Sequence, residues 1–177
     1  MVRVVRVVRE HASGGGAARA LLVKSRPDVR GRGRMRKTDV MPGSRQAMHP
    51  QLIADCHLLG ASPSGRVLLH ANAQLPWLIL VPDTEAADLL QLPRAQRIRV
   101  LDDCERLDLY LRTRWVLDKV NFAAIGNLVP QLHLHLVGRR RDDCCWPLPA
   151  WGHLQQQSAY PAAEVEVIGR EISALWN

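Results

Sequence analysis

The pattern of hydrophobic and polar residues becomes regular from about residue 50 onward. Five short segments have the alternating or continuously apolar pattern of β-strands, and they span residues 52–60, 66–72, 77–82, 120–127 and 131–137. The segment 77–82 is an almost uninterrupted apolar run, which predicts a central strand buried on both faces. Short turns separate the first three segments, so we expect these strands to pair antiparallel.

Two further segments have the three- and four-residue spacing of amphipathic helices. The longer one runs from Arg94 to Asp118, and its apolar stripe consists of Ile98, Leu101, Cys104, Leu107, Leu111 and Trp115. The shorter one follows Pro161, a residue favoured in the first turn of a helix. Residues 83–92 predict a short helix or turn, and residues 139–160 predict an ordered loop. An antiparallel sheet with one long central helix and a C-terminal helix predicts an α+β domain.

Composition narrows the class of protein. The 177 residues suffice for one domain with a buried core. The longest apolar run, residues 77–81, is far shorter than the roughly 20 residues that span a bilayer, so no membrane association is expected. The four cysteines form no Cys-x-x-Cys pair, and the adjacent Cys144 and Cys145 are poorly arranged for a mutual disulfide. A reduced, cytoplasmic protein is therefore expected.

The net charge of +7 is unevenly distributed along the chain. Residues 1–47 contain 12 basic and three acidic residues, a net of +9, whereas residues 48–177 contain 12 basic and 14 acidic residues, a net of −2. We expect a basic, disordered extension over 1–47 and a folded domain over 48–177 that does not bind nucleic acid. Other interpretations of the extension stay open, namely an Arg/Gly-type RNA-binding tail, an import sequence, or translation that begins at Met48.

The segment 131–137 alternates leucines with Gln131, His133 and His135. Alternate residues of a strand share a face, so the leucines should face the core while the two imidazoles and the amide share the opposite face. Three interpretations are open: histidines on a solvated strand, two ligands of a metal site, or a nucleophile beside a proton donor. The metal interpretation lacks a third ligand with a supporting motif, so no metal is expected.

The sequence QLHLHLV resembles the histidine triad (HIT) motif, in which His alternates with hydrophobic residues and two hydrophobic residues close the run. Three other stretches are similar to HIT sequences: LPWLILVP at 75–82, NFAAIGNLVP at 121–130 and WPLPAWG at 146–152. The resemblance covers roughly residues 50–152 and leaves out the extension. It implies a HIT-like α+β fold, often in a homodimer, that hydrolyses or transfers nucleoside monophosphates without a cofactor.

The resemblance also implies catalytic roles for three residues. His133 corresponds to the nucleophile that attacks the α-phosphate and forms a nucleotidyl-histidine intermediate, and His135 corresponds to the histidine that contacts the phosphate. Gln131 stands where the motif has its first histidine, so this position cannot titrate. The chain thus resembles a variant of the family with Gln at the first triad position, similar to the diadenosine polyphosphate hydrolases.

Three asparagines are the implied nucleotide-binding residues. Asn72 stands where the family usually has an acidic residue that holds the ribose, Asn127 corresponds to a polar residue near the phosphate or leaving group, and Asn121 to an upstream Asn. The expected substrate is a dinucleoside polyphosphate or a nucleoside phosphoramidate. The alternative function is a catalytically impaired nucleotide-binding or interaction module, since Gln131 departs from the motif.

Overall fold

The structure, a computed structural model, describes residues 46–177. The expected extension over 1–47 therefore lies outside the described residues, apart from its last two positions. The helices are α1 (Pro50–Asp55), α2 (Arg94–Arg114) and α3 (Ala162–Ala174), with a short 3-10 turn at Leu89–Gln91. The strands are β1 (Cys56–Ser62), β2 (Gly65–His70), β3 (Trp77–Pro82), β4 (Lys119–Ala124) and β5 (Leu134–Arg139).

The five strands form one antiparallel sheet in the order β1-β2-β3-β5-β4. The predicted α+β class is confirmed, with α2 as the long helix and α3 as the C-terminal helix. Strand β3 lies at the centre, and every one of its residues is buried, as its apolar run predicts. No helix within residues 46–177 is both long and apolar enough to cross a bilayer.

Two segments beside the site differ from the sequence prediction. The predicted strand 52–60 begins as helix α1, because the Nδ1 atom of His49 accepts a hydrogen bond from the backbone N–H of Gln51 and Pro50 occupies the first turn. The predicted strand 131–137 is paired only from Leu134 onward. The carbonyl of residue 131 is bonded instead to the side chain of His133, so the approach to β5 is held by a local contact.

The two faces of the sheet carry separate hydrophobic cores. One core packs the sheet against α2 and α3, and it contains Leu78, Leu80, Leu107, Leu111, Leu132, Leu134, Leu136, Ile168 and Ile172. The other core lies under α1 and the loop after β5, and it contains Leu52, Trp77, Ile79, Val129, Val137, Cys145 and Ala150. The predicted inward direction of the leucines around His133 is thus confirmed. The alternation of side chains along β5 puts His135 on the second face, beside Val137.

Candidate active site

A cavity of about 590 Å³ opens on the second face of the sheet. Its walls come from α1, from strands β1 to β3, from the loop 125–129 and from the start of β5. The lining side chains are Gln51, Leu52, Asp55, Cys56, His70, Trp77, Ile79, Ile125, Asn127, Leu128, Val129, His133, His135 and Trp151. We call this space the histidine cavity. Its size is in the range of small-molecule sites, and most of its wall is apolar.

His133 is buried, with only 6% of its surface exposed. Its Nδ1 atom lies 2.7 Å from the backbone carbonyl oxygen of Gln131. A carbonyl oxygen can only accept a hydrogen bond, so Nδ1 of the neutral ring carries the proton and Nε2 keeps its lone pair. Nε2 makes no hydrogen bond within residues 46–177, and His133 lines the histidine cavity. This is the tautomer that nucleophilic attack through Nε2 requires.

His135 has the opposite tautomer. Its Nδ1 atom accepts a hydrogen bond from the indole N–H of Trp77 at 3.0 Å, so the neutral ring carries its proton on Nε2. Burial, and to a smaller extent the neighbouring charges of His133 and His70, lower the pKa of His135 to about 3. His135 is therefore a neutral hydrogen-bond donor across the physiological pH range. Its ring centroid lies 4.7 Å from that of His133, with the two planes nearly perpendicular.

A third imidazole, which the sequence reasoning missed, lines the same cavity. His70 ends strand β2 and stacks on Trp77, with 4.7 Å between the ring centroids. Its Nδ1 atom accepts the backbone N–H of Asn72 at 3.1 Å, so its neutral ring also carries the proton on Nε2. Burial lowers the pKa of His70, partly opposed by the charge of Asp55. His70 lies on the same face of β2 as Leu68, because alternate residues of a strand share a face. Leu68 pairs with Ile79 of β3, and Ile79 pairs with His135 of β5, so only the strand pairing brings His70 to the same face of the sheet as His135.

The cavity therefore offers one imidazole lone pair and two imidazole N–H donors. A nucleophile beside fixed donors suits transfer of a phosphoryl or nucleotidyl group, where donors stabilise the charge on the phosphate oxygens. Asp55 is the only Asp, Glu, Lys or Arg among the described lining residues. Within residues 46–177, no three His, Cys, Asp or Glu side chains are grouped as metal ligands.

The side chain of Gln131 does not line the histidine cavity. Its Oε1 atom accepts the backbone N–H of His49 at 2.8 Å, and its Nε2 atom donates to Gln46 Oε1 and to the Ala47 carbonyl. Both polar atoms of this amide thus hold the segment 46–49 in front of α1, and its expected role in positioning a phosphate stays a prediction. Gln131 still contributes to the site through its backbone carbonyl, which orients His133.

The three predicted asparagines lie in different surroundings. Asn127 lines the histidine cavity. Asn72 lines an adjoining cavity, and its amide is already hydrogen-bonded to the backbone of residues 156–158. Asn121 lines no part of the histidine cavity and accepts a hydrogen bond at 3.0 Å from the buried Arg139, so its expected role in nucleotide binding stays a prediction.

Comparisons with known proteins agree with this geometry. The family model of the HIT domain matches residues 51–142. A histidine triad protein from Bradyrhizobium japonicum is 37% identical, with a TM-score of 0.67, and the match covers 75% of this chain and 96% of that one. A histidine triad protein from Marinobacter aquaeolei VT8 is 35% identical, with a TM-score of 0.69 and the same coverage of both chains.

A third solved structure, a histidine triad (HIT) protein from Sinorhizobium meliloti 1021, is 26% identical with a TM-score of 0.68. This match covers 72% of this chain and 95% of that one. The comparison with curated proteins found no match. The similarity to the solved structures therefore spans nearly all of their length.

Proposed function

The chain belongs to the HIT domain family, and from that premise we propose that it hydrolyses or transfers a nucleotide at the α-phosphate through His133. HIT domains are in general nucleotide-binding hydrolases or transferases. The observation that carries the proposal is the pair of opposite tautomers: His133 has a free Nε2 lone pair, and His135 beside it has an Nε2–H donor.

The first chemical step is attack of His133 Nε2 on the α-phosphorus. The Nε2–P bond forms while the bond from phosphorus to the leaving group breaks, and the leaving group keeps the electron pair and takes a proton from water. The ring of His133 becomes positively charged in this step. The hydrogen bond from its Nδ1 to the Gln131 carbonyl then becomes charge-assisted, which stabilises the intermediate. His135 donates Nε2–H to a phosphate oxygen.

The second step releases the nucleotide. Water attacks the phosphorus of the nucleotidyl-histidine, the Nε2–P bond breaks with its electron pair returning to His133, and the proton lost by water passes to solvent. The products are a nucleoside monophosphate and the regenerated imidazole. Another nucleophile in place of water makes the same reaction a transfer.

The walls of the histidine cavity suggest how the nucleotide lies. The apolar side chains of Leu52, Ile79 and Val129 suit a nucleobase. Asp55 is the one carboxylate in the wall and suits the ribose hydroxyls, a role that the family resemblance assigned to Asn72. Asn127 lines the same cavity, and we propose that it contacts the phosphate or the leaving group, as the family resemblance implies.

Charge favours one of the two expected substrate classes. Within residues 46–177 the cavity has no Lys or Arg in its wall and one carboxylate. A dinucleoside polyphosphate brings several negative charges, which this wall leaves unpaired, whereas a nucleoside phosphoramidate brings a single phosphate group. We therefore propose a nucleoside phosphoramidate as the preferred substrate.

The test is a rate comparison with purified protein. Wild type and His133→Ala are assayed with nucleoside phosphoramidates and with dinucleoside polyphosphates, and His57→Ala, a histidine of β1 outside the cavity, is the matched control. We expect turnover of the phosphoramidate, its loss in His133→Ala, an unchanged rate in His57→Ala, and a mass increase of one nucleotide on His133 after rapid quenching. An equal rate in His133→Ala would refute the mechanism. Tight nucleotide binding with neither turnover nor adduct would favour the non-catalytic module.

A further inference from the structure

Two cysteines in the loop after β5, Cys144 and Cys145, take no part in the mechanism proposed above. Their Sγ atoms lie 3.8 Å apart. Cys144 is exposed to solvent, whereas Cys145 is buried with 4% of its surface exposed. The other two cysteines of the chain, Cys56 and Cys104, stand singly in the sequence. The chain therefore contains one vicinal dithiol, formed by residues 144 and 145.

The backbone that carries this dithiol is held in place on both sides. Arg139 and Asp143 form an ion pair at 2.7 Å, and their side chains are only 2% and 5% exposed. The carboxylate of Asp143 accepts the backbone N–H of Cys145 at 2.9 Å, and the carbonyl of Cys145 accepts the N–H of Leu148 at 2.8 Å. The fold therefore brings the two thiols together before any ligand binds, which lowers the entropic cost of binding.

The spacing of the two sulfurs suits a bridging atom better than a direct bond between them. A disulfide usually needs Cα atoms at least about 4.4 Å apart, whereas neighbours joined by a trans peptide bond have Cα atoms only about 3.8 Å apart. A single atom bonded to both sulfurs at about 2.3 Å, with a near-tetrahedral angle, holds the sulfurs about 3.8 Å apart, as in zinc thiolates. The dithiol can therefore chelate one thiophilic atom with little movement of the backbone.

The number of ligands and their protonation select the atom. Structural zinc takes four ligands, and within residues 46–177 no group of three His, Cys, Asp or Glu side chains could hold a metal ion. Zinc also needs both thiols as thiolates, whereas burial and the neighbouring Cys144 raise the pKa of Cys145. Trivalent arsenic, which is soft like sulfur, bonds to two thiols and keeps a hydroxyl or aryl group as its third substituent. It therefore needs no third residue.

A cavity of about 480 Å³ gives access to the dithiol. Its lining residues are Gln74, Leu75, Pro76, Gly138, Arg140, Asp142, Asp143, Cys144 and Gln156. None of them lines the histidine cavity, so this is a separate place in the fold. The cavity has room for the third substituent of an arsenic atom bound at Cys144, including an aryl ring.

We propose that Cys144 and Cys145 bind a trivalent arsenical as a chelate in which one arsenic atom joins both sulfurs. With arsenous acid, two As–O bonds break and two As–S bonds form. Each departing hydroxide takes the proton of the thiol that replaces it, so two water molecules are released and the third hydroxyl stays on arsenic. Arsenic remains trivalent and no electrons are exchanged. The chelate is neutral, which suits a pair of thiols of which one is buried.

The experiment treats the reduced full-length protein with an equimolar amount of phenylarsine oxide, adds excess glutathione, and measures the intact mass. One arsenical per chain should remain, with the mass of phenylarsine oxide less one water, because a dithiol holds arsenic against a monothiol through its second bond. Cys144→Ser changes an exposed side chain and leaves Cys145 in the core. This variant should retain at least about tenfold less arsenical than wild type.

Cys56→Ser is the matched control, because it removes a single, partly exposed thiol and leaves the dithiol intact. It should retain the arsenical as wild type does, and 2,3-dimercaptopropanol should remove the arsenical from both proteins. Loss of the adduct from wild type in glutathione would overturn the assignment, and so would equal retention by wild type and Cys144→Ser. Loss of retention in Cys56→Ser would overturn it as well. The test uses no catalytic turnover, so its outcome is independent of the proposed function.

Discussion

The pKa of His135 predicts an acid-dependent loss of stability. Burial and the neighbouring His133 and His70 together lower this pKa to about 3 in the folded protein, whereas an unfolded histidine has a pKa of about 6.5. Below pH 6.5 the unfolded chain therefore binds a proton at position 135 that the folded chain does not. The contribution of neutral His135 to the free energy of unfolding is therefore fully present above about pH 6.5, the pKa of this residue in the unfolded chain. It is lost as the pH falls towards about 3, the pKa in the folded chain.

The magnitude follows from the difference between the two pKa values. One pH unit within this window changes the free energy of unfolding by about 1.4 kcal/mol. Between pH 7 and pH 5, His135 alone should thus lower the free energy of unfolding by about 2 kcal/mol. The lowered pKa of His70 acts in the same direction and adds to the loss.

The assay is urea unfolding followed by tryptophan fluorescence at several pH values between 5 and 7. Wild type is compared with His135→Gln, which removes the titrating group and keeps a polar side chain. On acidification, the free energy of unfolding of the variant should fall less steeply than that of wild type. The difference between the two pH slopes should correspond to about one proton per molecule. Nitrogen chemical shifts of the His135 ring should meanwhile report a neutral Nε2–H tautomer down to pH 5. Equal pH slopes, or a His135 ring that titrates near pH 6.5, would refute the reasoning.

Three further substitutions test other contacts. Trp77→Phe leaves His135 Nδ1 without its donor and should lower the free energy of unfolding in urea by about 1–3 kcal/mol, with a mixture of tautomers at His135 in NMR spectra; a single tautomer would argue against the role of the indole. Gln131→Ala should speed amide hydrogen exchange in the segment 46–55 and change the rate of phosphoramidate hydrolysis little. Loss of hydrolysis with unchanged hydrogen exchange would instead support a catalytic role for the amide. Asp143→Ala leaves the buried guanidinium of Arg139 unpaired and should cost about 3–5 kcal/mol in thermal or urea unfolding; a loss below 1 kcal/mol would contradict the buried ion pair.

Local patterns in the sequence predict much of the fold. The apolar run 77–82 identifies β3 with its observed bounds, and the helical stripe after Pro93 identifies α2 apart from its last turn. The alternation around His133 also predicts correctly that the leucines face the core. These features depend on the periodicity of the backbone, which a short stretch of chain already contains.

The features of the site that the sequence does not predict lie where distant segments meet. His70 and Trp77 join His135 only through the pairing of β2 with β3 and of β3 with β5. The hydrogen bond from Trp77 to His135 spans 58 residues of sequence, and no local pattern encodes it. Gln131 shares the alternation of the two histidines, yet its side chain bonds to the segment before α1, 82 residues away at His49.

By itself, the sequence determined most of the elements, the inward face of the leucines and the presence of paired imidazoles at 133 and 135, because these follow from backbone period and residue type. Only the tertiary structure decided which tautomers His135 and His70 adopt. The tautomer of a neutral imidazole depends on the partner of its Nδ1 atom, and for His135 and His70 that partner is set by strand register and by the turn after β2.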